Sequence, residues 1–75
     1  MKLHYYPETD SLYVELADAP AADSKELVPG IVADYDASGR LVGLDVDHAS
    51  TAFDLGGITA DVDGKPVGSL RLLTV

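Results

Sequence analysis

The 75-residue sequence holds no cysteine and no tryptophan, one phenylalanine, and five basic residues against thirteen acidic ones. Without cysteine, neither a disulfide nor a thiolate metal site can form, which fits a reducing cytoplasm. A formal net charge of −8 repels phosphate backbones and anionic lipid, so neither nucleic acid nor membrane is expected as a partner. No apolar run approaches the ~20 residues of a membrane span, and the stretch from Met1 to Glu8 lacks the apolar centre of a signal peptide. What is present suits a folded globule, with 47 % hydrophobic and 24 % charged residues. The length allows a single domain, residues 1–75, whose thin core withdraws only about 60–65 % of the unfolded chain's surface from water.

Period-two alternation dominates the first half and predicts an α+β fold built on one antiparallel sheet of two β-hairpins. The first covers about 1–6 and 11–17, around Pro7-Glu8-Thr9-Asp10. Pairing Tyr5 with Leu12, Leu3 with Val14 and Met1 with Leu16 puts apolar residues together. His4 then meets Tyr13, and Lys2 meets Glu15, on the other face. A slip of one residue would destroy both agreements. The second hairpin covers 27–35 and 40–47. In its Asp36-Ala37-Ser38-Gly39 turn, Asp36 starts a type I turn and Gly39 supplies a positive φ. Pairing Tyr35 with Arg40 sets Ala33 against Val42 and Asp34 against Leu41. Pro29 cannot donate to a ladder, so that strand is an edge, or is bent at Pro29-Gly30. Residues 17–25 read as a turn-rich connection. A short helix is expected near 49–55, capped by Ser50 and ended by Gly56-Gly57. Asp63-Gly64 is a hairpin turn, and a C-terminal strand is expected near 68–74.

The segments Lys2-Leu3-His4-Tyr5-Tyr6-Pro7-Glu8-Thr9-Asp10-Ser11-Leu12-Tyr13-Val14, Val28 to Asp36, Gly39 to Val46 and Ala49-Ser50 resemble the small bacterial YuzE-like proteins, domain of unknown function 2283 (DUF2283). The resemblance spans residues 2–55. It implies a compact antiparallel β-rich domain of unknown biochemical function and carries over no catalytic residue. The family pattern has Asp before Pro-Glu, where this chain has Tyr6, and the tail from Gly56 is longer than the family commonly has.

Three aspartate pairs, at 34/36, 45/47 and 61/63, suggest hard-cation ligands, because carboxylates two apart on a strand point the same way. The expected register places Asp34 and Asp45 about 13 Å apart at ~3.3 Å per residue, too far to share an ion within one chain. Asp34, Asp45 and Asp47 therefore remain only weak metal candidates, and Asp61-Val62-Asp63-Gly64 lacks the flanking ligands of a calcium loop. His4 and His48 have no converging partners, Ser50 has no nucleophile-elbow glycines around it, and the glycines lack phosphate-cradling spacing. Neither a catalytic residue nor a cofactor is expected. Tyr6, Tyr13, Val32 and Leu41 lie on the outer face of the sheet, which the remaining chain is too short to cover, and are the interface candidates. The expected function is that of a non-catalytic, self-associating cytoplasmic module that can meet a protein partner. The alternative is a weak divalent-cation or small-ligand binder that uses outer-face aspartates across subunits.

Overall fold

The structure is a computed structural model that describes residues 1–70. Its elements are β1 (Lys2–Tyr6), β2 (Ser11–Glu15), β3 (Asp23–Val28), β4 (Ile31–Tyr35), β5 (Leu41–Val46), α1 (Ala49–Ala52), β6 (Ile58–Val62) and β7 (Lys65–Leu70). Five strands form one antiparallel sheet in the order β1-β2-β5-β4-β3, and β6 and β7 form a separate two-stranded ribbon. The α+β class and its hairpins are as the alternation predicts. The expected strand near 68–74 starts earlier, at Lys65, and residues 71–74 lie outside the described residues.

The first hairpin has the expected register, Leu3 to Val14 and Tyr5 to Leu12 on one side, His4 to Tyr13 on the other. The second differs. Ala33 pairs with Leu44 and Ile31 with Val46, two residues from the expected alignment. The turn shifts the pairing by one residue, since the Asp36 amide bonds the Arg40 carbonyl (2.9 Å) and Tyr35 stands opposite Leu41 instead of Arg40. A bulge between Asp34 and Tyr35 adds the second step. A single step would have turned every side chain over, whereas two restore the apolar face.

A further difference lies before this hairpin. The chain reverses at Pro29-Gly30, so residues 27–35 are not one strand. Val28 pairs with Ile31 across the turn, and Gly30 has φ 88°. Proline followed by a left-handed glycine is what a type II turn requires. The supposed connection at 23–25 thus belongs to edge strand β3, whose residues are all exposed. That edge is guarded by a bulge between Glu26 and Val28 and by Lys25, which pairs with Ala33 and so stands on the apolar side; both features discourage pairing with another chain.

The core lies on the apolar side, where Leu12, Val46, Ala49 and Leu55 are buried together against Leu3, Tyr5, Val14 and Ile31. Helix α1 and Leu55 thus cover one end of the sheet. The next row, Leu3, Val14 and Leu44, is only half-buried. The helix is shorter than expected: Phe53 is extended (φ −137°, ψ 159°), and Leu55 reaches the core from beyond it.

Candidate functional site

The face opposite the core carries two polar rows. In one, Lys2, Glu15, Gly43, Asp34 and Ser24 lie side by side; in the other, His4, Tyr13, Asp45, Val32 and Glu26. Tyr13 leans over Gly43, where a Cβ would collide with its hydroxyl, and donates to Asp34 Oδ2 at 2.9 Å. Ser24 donates to the other oxygen of Asp34 at 2.7 Å. His4 Nε2 lies 3.3 Å from Glu15 Oε1, with its ring 6.4 Å from that of Tyr13. Asp34 thus joins strands that are 21 and 10 residues away in sequence.

Burial, and then its bond to Asp34, push the Tyr13 phenol above its ordinary value, the reverse of what a nucleophile needs. Asp45 is exposed, and the partial loss of hydration in the fold, followed by repulsion from Asp47 and Asp34, raises its carboxyl. A carboxyl raised in the fold destabilises it while ionised, and the penalty fades as pH falls through the raised value. Asp45→Asn is therefore expected to raise the melting temperature at pH 7 and to leave it unchanged near the acid limit, as a thermal melt series would show. Among the described residues, no three His, Asp or Glu side chains gather to hold a metal ion.

A second polar cluster ties the first turn to the helix. Asp10, with φ 52°, accepts bonds from the Tyr5 hydroxyl (2.8 Å), the Ser50 amide (3.1 Å) and the Ser50 hydroxyl (2.7 Å), and its carbonyl takes the Ala49 amide (2.9 Å). Ser50 therefore does not cap the helix from within. His48, at the N-cap, makes no side-chain cap bond, and Asp10, 40 residues before Ser50, satisfies the open amides of Ala49 and Ser50 instead. The Ser50 hydroxyl, followed by that of Tyr5, lowers the Asp10 pKa. A depressed carboxyl contributes stability above its unfolded value of ~3.9, and that stability is lost as pH falls through the folded value. Asp10→Asn is expected to lower the melting temperature at pH 7, because the amide keeps one accepting oxygen where the carboxylate has two and loses the charge that strengthens these bonds. The gap should close in acid; a gap that persists unchanged below pH 2 would show that the charge is not what matters.

The family model described as Protein of unknown function (DUF2283) matches residues 2–50. The chain belongs to the DUF2283 family. The match takes in all five strands of the main sheet and ends on Ser50, where the Asp10 cluster closes; the β6–β7 ribbon lies beyond it. No curated protein and no solved structure matches the chain.

Within this DUF2283 domain, Tyr13 and Val32 flank Asp45 and are half-buried. Tyr6 (55 % exposed) and Leu41 (43 %) lie at opposite ends of the sheet, so the four do not form one patch. The two-residue shift also corrects the metal geometry. Asp34 pairs with Gly43 and Asp45 with Val32, which makes the two carboxylates diagonal neighbours about 7–8 Å apart instead of 13 Å. Asp47 follows β5, and its amide is bonded to Gly30. The Asp10 cluster and the Tyr13–Asp34–Ser24 bridge were missed because their partners are far apart in sequence. Strand β3 did have a local signal, the Pro-Gly turn that precedes β4.

Proposed function

We propose that this DUF2283 domain is a non-catalytic cytoplasmic interaction module that associates with itself through the half-covered apolar side of its sheet. The observation that carries this reading is the row of Leu3, Val14 and Leu44, apolar side chains on the core side of the sheet that the chain leaves half-buried. A second copy laid on that row would withdraw its remaining apolar surface from water. The opposite face, with Glu15, Glu26, Asp34 and Asp45, stays outward and suits a basic protein surface.

Size exclusion with light scattering, in chelator, tests this reading. A mass of twice 7.9 kDa is expected; a chain that stays at its own mass at working concentration refutes it.

A second reading, weak divalent-cation binding, draws on the closeness of Asp34 and Asp45. It requires the melting temperature to rise with added calcium or magnesium by mass action. An interaction module is expected to be indifferent to both.

A further inference from the structure

We propose that β1 is a pairing edge, to which β1 of a second copy of this chain adds antiparallel about a twofold axis at His4. This inference rests on the self-association proposed above and places the contact where the row of Leu3, Val14 and Leu44 reaches the rim of the sheet. Among the described residues the main sheet has two edges, β1 and β3, and they are built differently. Edge β3 carries Asp23 and Glu26, a bulge, and Lys25 on the apolar side. β1 pairs with β2 through five residues without a shift, holds no proline or glycine, and packs Leu3 and Tyr5 against the core. It lacks the devices that keep an edge from taking up another strand. It is also the only strand of this sheet without a carboxylate. For two chains of net charge −8, this is the edge where approach meets least repulsion.

The ladder settles which backbone groups are open. The Leu16 amide donates to the Val42 carbonyl (2.9 Å), and the Asp47 amide to the Gly30 carbonyl (2.8 Å). Bonding in an antiparallel ladder alternates residue by residue. Leu12 and Val14 therefore bond β5, while Ser11, Tyr13 and Glu15 bond their β1 partners Tyr6, His4 and Lys2. That leaves the N–H and C=O of Leu3 and Tyr5 on the open edge. His4 is the midpoint of β1, so the strand laid antiparallel on its own copy about His4 overlaps along its whole length. In that register Leu3 meets Tyr5 of the second copy, Tyr5 meets Leu3, and each pair exchanges both backbone bonds. The side chains join on the apolar side, where Tyr5 of the second copy covers the open flank of half-buried Leu3. On the polar side Lys2 meets Tyr6 of the second copy, and the two His4 residues face each other. Pro7 has no N–H and ends the pairing. The contact is closed and self-complementary, as a twofold dimer requires.

The cysteine-free chain makes the register testable. Across the axis the two His4 Cα atoms would stand about 4.5 Å apart, within disulfide reach. His4→Cys chains are expected to oxidise to a covalent dimer and Tyr6→Cys chains alone to stay single. Tyr6→Cys chains mixed with Lys2→Cys chains are expected to link. Separately, His4→Lys keeps Glu15 as a neighbour within its own chain but opposes two ammonium groups across the axis. It is expected to show a twofold fall in mass, from dimer to 7.9 kDa, with an unchanged sheet signal by circular dichroism. Added His4→Glu chains are expected to restore the dimer. A dimeric His4→Lys chain together with no link in His4→Cys overturns the edge contact but leaves self-association standing. Equal linking of His4→Cys and Tyr6→Cys chains shows random collision and also overturns it. A wild type at 7.9 kDa overturns self-association itself.

Discussion

Leu55→Ala is expected to destabilise the fold by about 2–5 kcal/mol, the range for truncating a buried leucine. Leu55 is 4 % exposed and forms one cluster with Leu12, Val46 and Ala49. Helix α1 has four residues and cannot persist by its own propensity. Its docking depends on this side chain and on the Asp10 cluster. A core of this size supplies only about 3–5 kcal/mol of net stability, so the variant should be largely unfolded at room temperature. Phe53→Ala is the control. Phe53 is larger and only two residues away, but 47 % exposed, and its removal is expected to stay within about 0.5 kcal/mol. Urea titrations of both variants decide the matter. Equal losses would mean that Leu55 is not the anchor of this layer.

The second large effect concerns a residue with no side chain. Gly43 sits on β5, inside the sheet, with the Tyr13 ring across it. Gly43→Ala places a methyl group where the phenol lies, and the phenol is held there by Asp34. The ring must leave, breaking its bond to Asp34, or the strands must part. Overpacking of this kind costs about 1–3 kcal/mol. The backbone at Gly43 is not left-handed, so the penalty is steric, and removing the ring should relieve it. Gly43→Ala is therefore expected to be nearly harmless in a Tyr13→Ala background, with a coupling of 1 kcal/mol or more, about the scale of residues in direct contact. Additive losses in that double-mutant cycle would show that the ring does not occupy the space above Gly43.

What the sequence revealed follows the range of each interaction. The register of the first hairpin was legible because Leu3, Tyr5, Leu12 and Val14 alternate cleanly and Lys2 with Glu15 offers an independent check; its strands, Lys2–Tyr6 and Ser11–Glu15, stop short of the expected Met1–Leu16 pair. The second was legible only in its faces. Alternation has a period of two and does not distinguish registers two residues apart, so the shifted turn pairing and the bulge at Asp34 passed unseen. That same shift moved Asp34 and Asp45 from remote to neighbouring. Strand β3 was hidden by its composition: Asp23-Ser24-Lys25-Glu26 reads as loop because an edge strand with exposed residues has little apolar pattern to show. The Asp10 cluster depends on folding that brings Ser50 beside the first turn, and no local pattern announces it. Of the candidate interface residues, alternation placed Tyr13 and Val32 on the outer face but gave no sign that Tyr13 is bonded to Asp34.

The central claim is that a second copy completes the fold, and it is tested most directly by melting temperature against protein concentration. Association that accompanies folding makes the transition depend on concentration by mass action. Over a ~100-fold range of protein concentration in chelator, the melting temperature is expected to climb steadily. A melting temperature constant across that range, at the mass of a single chain, would contradict the account.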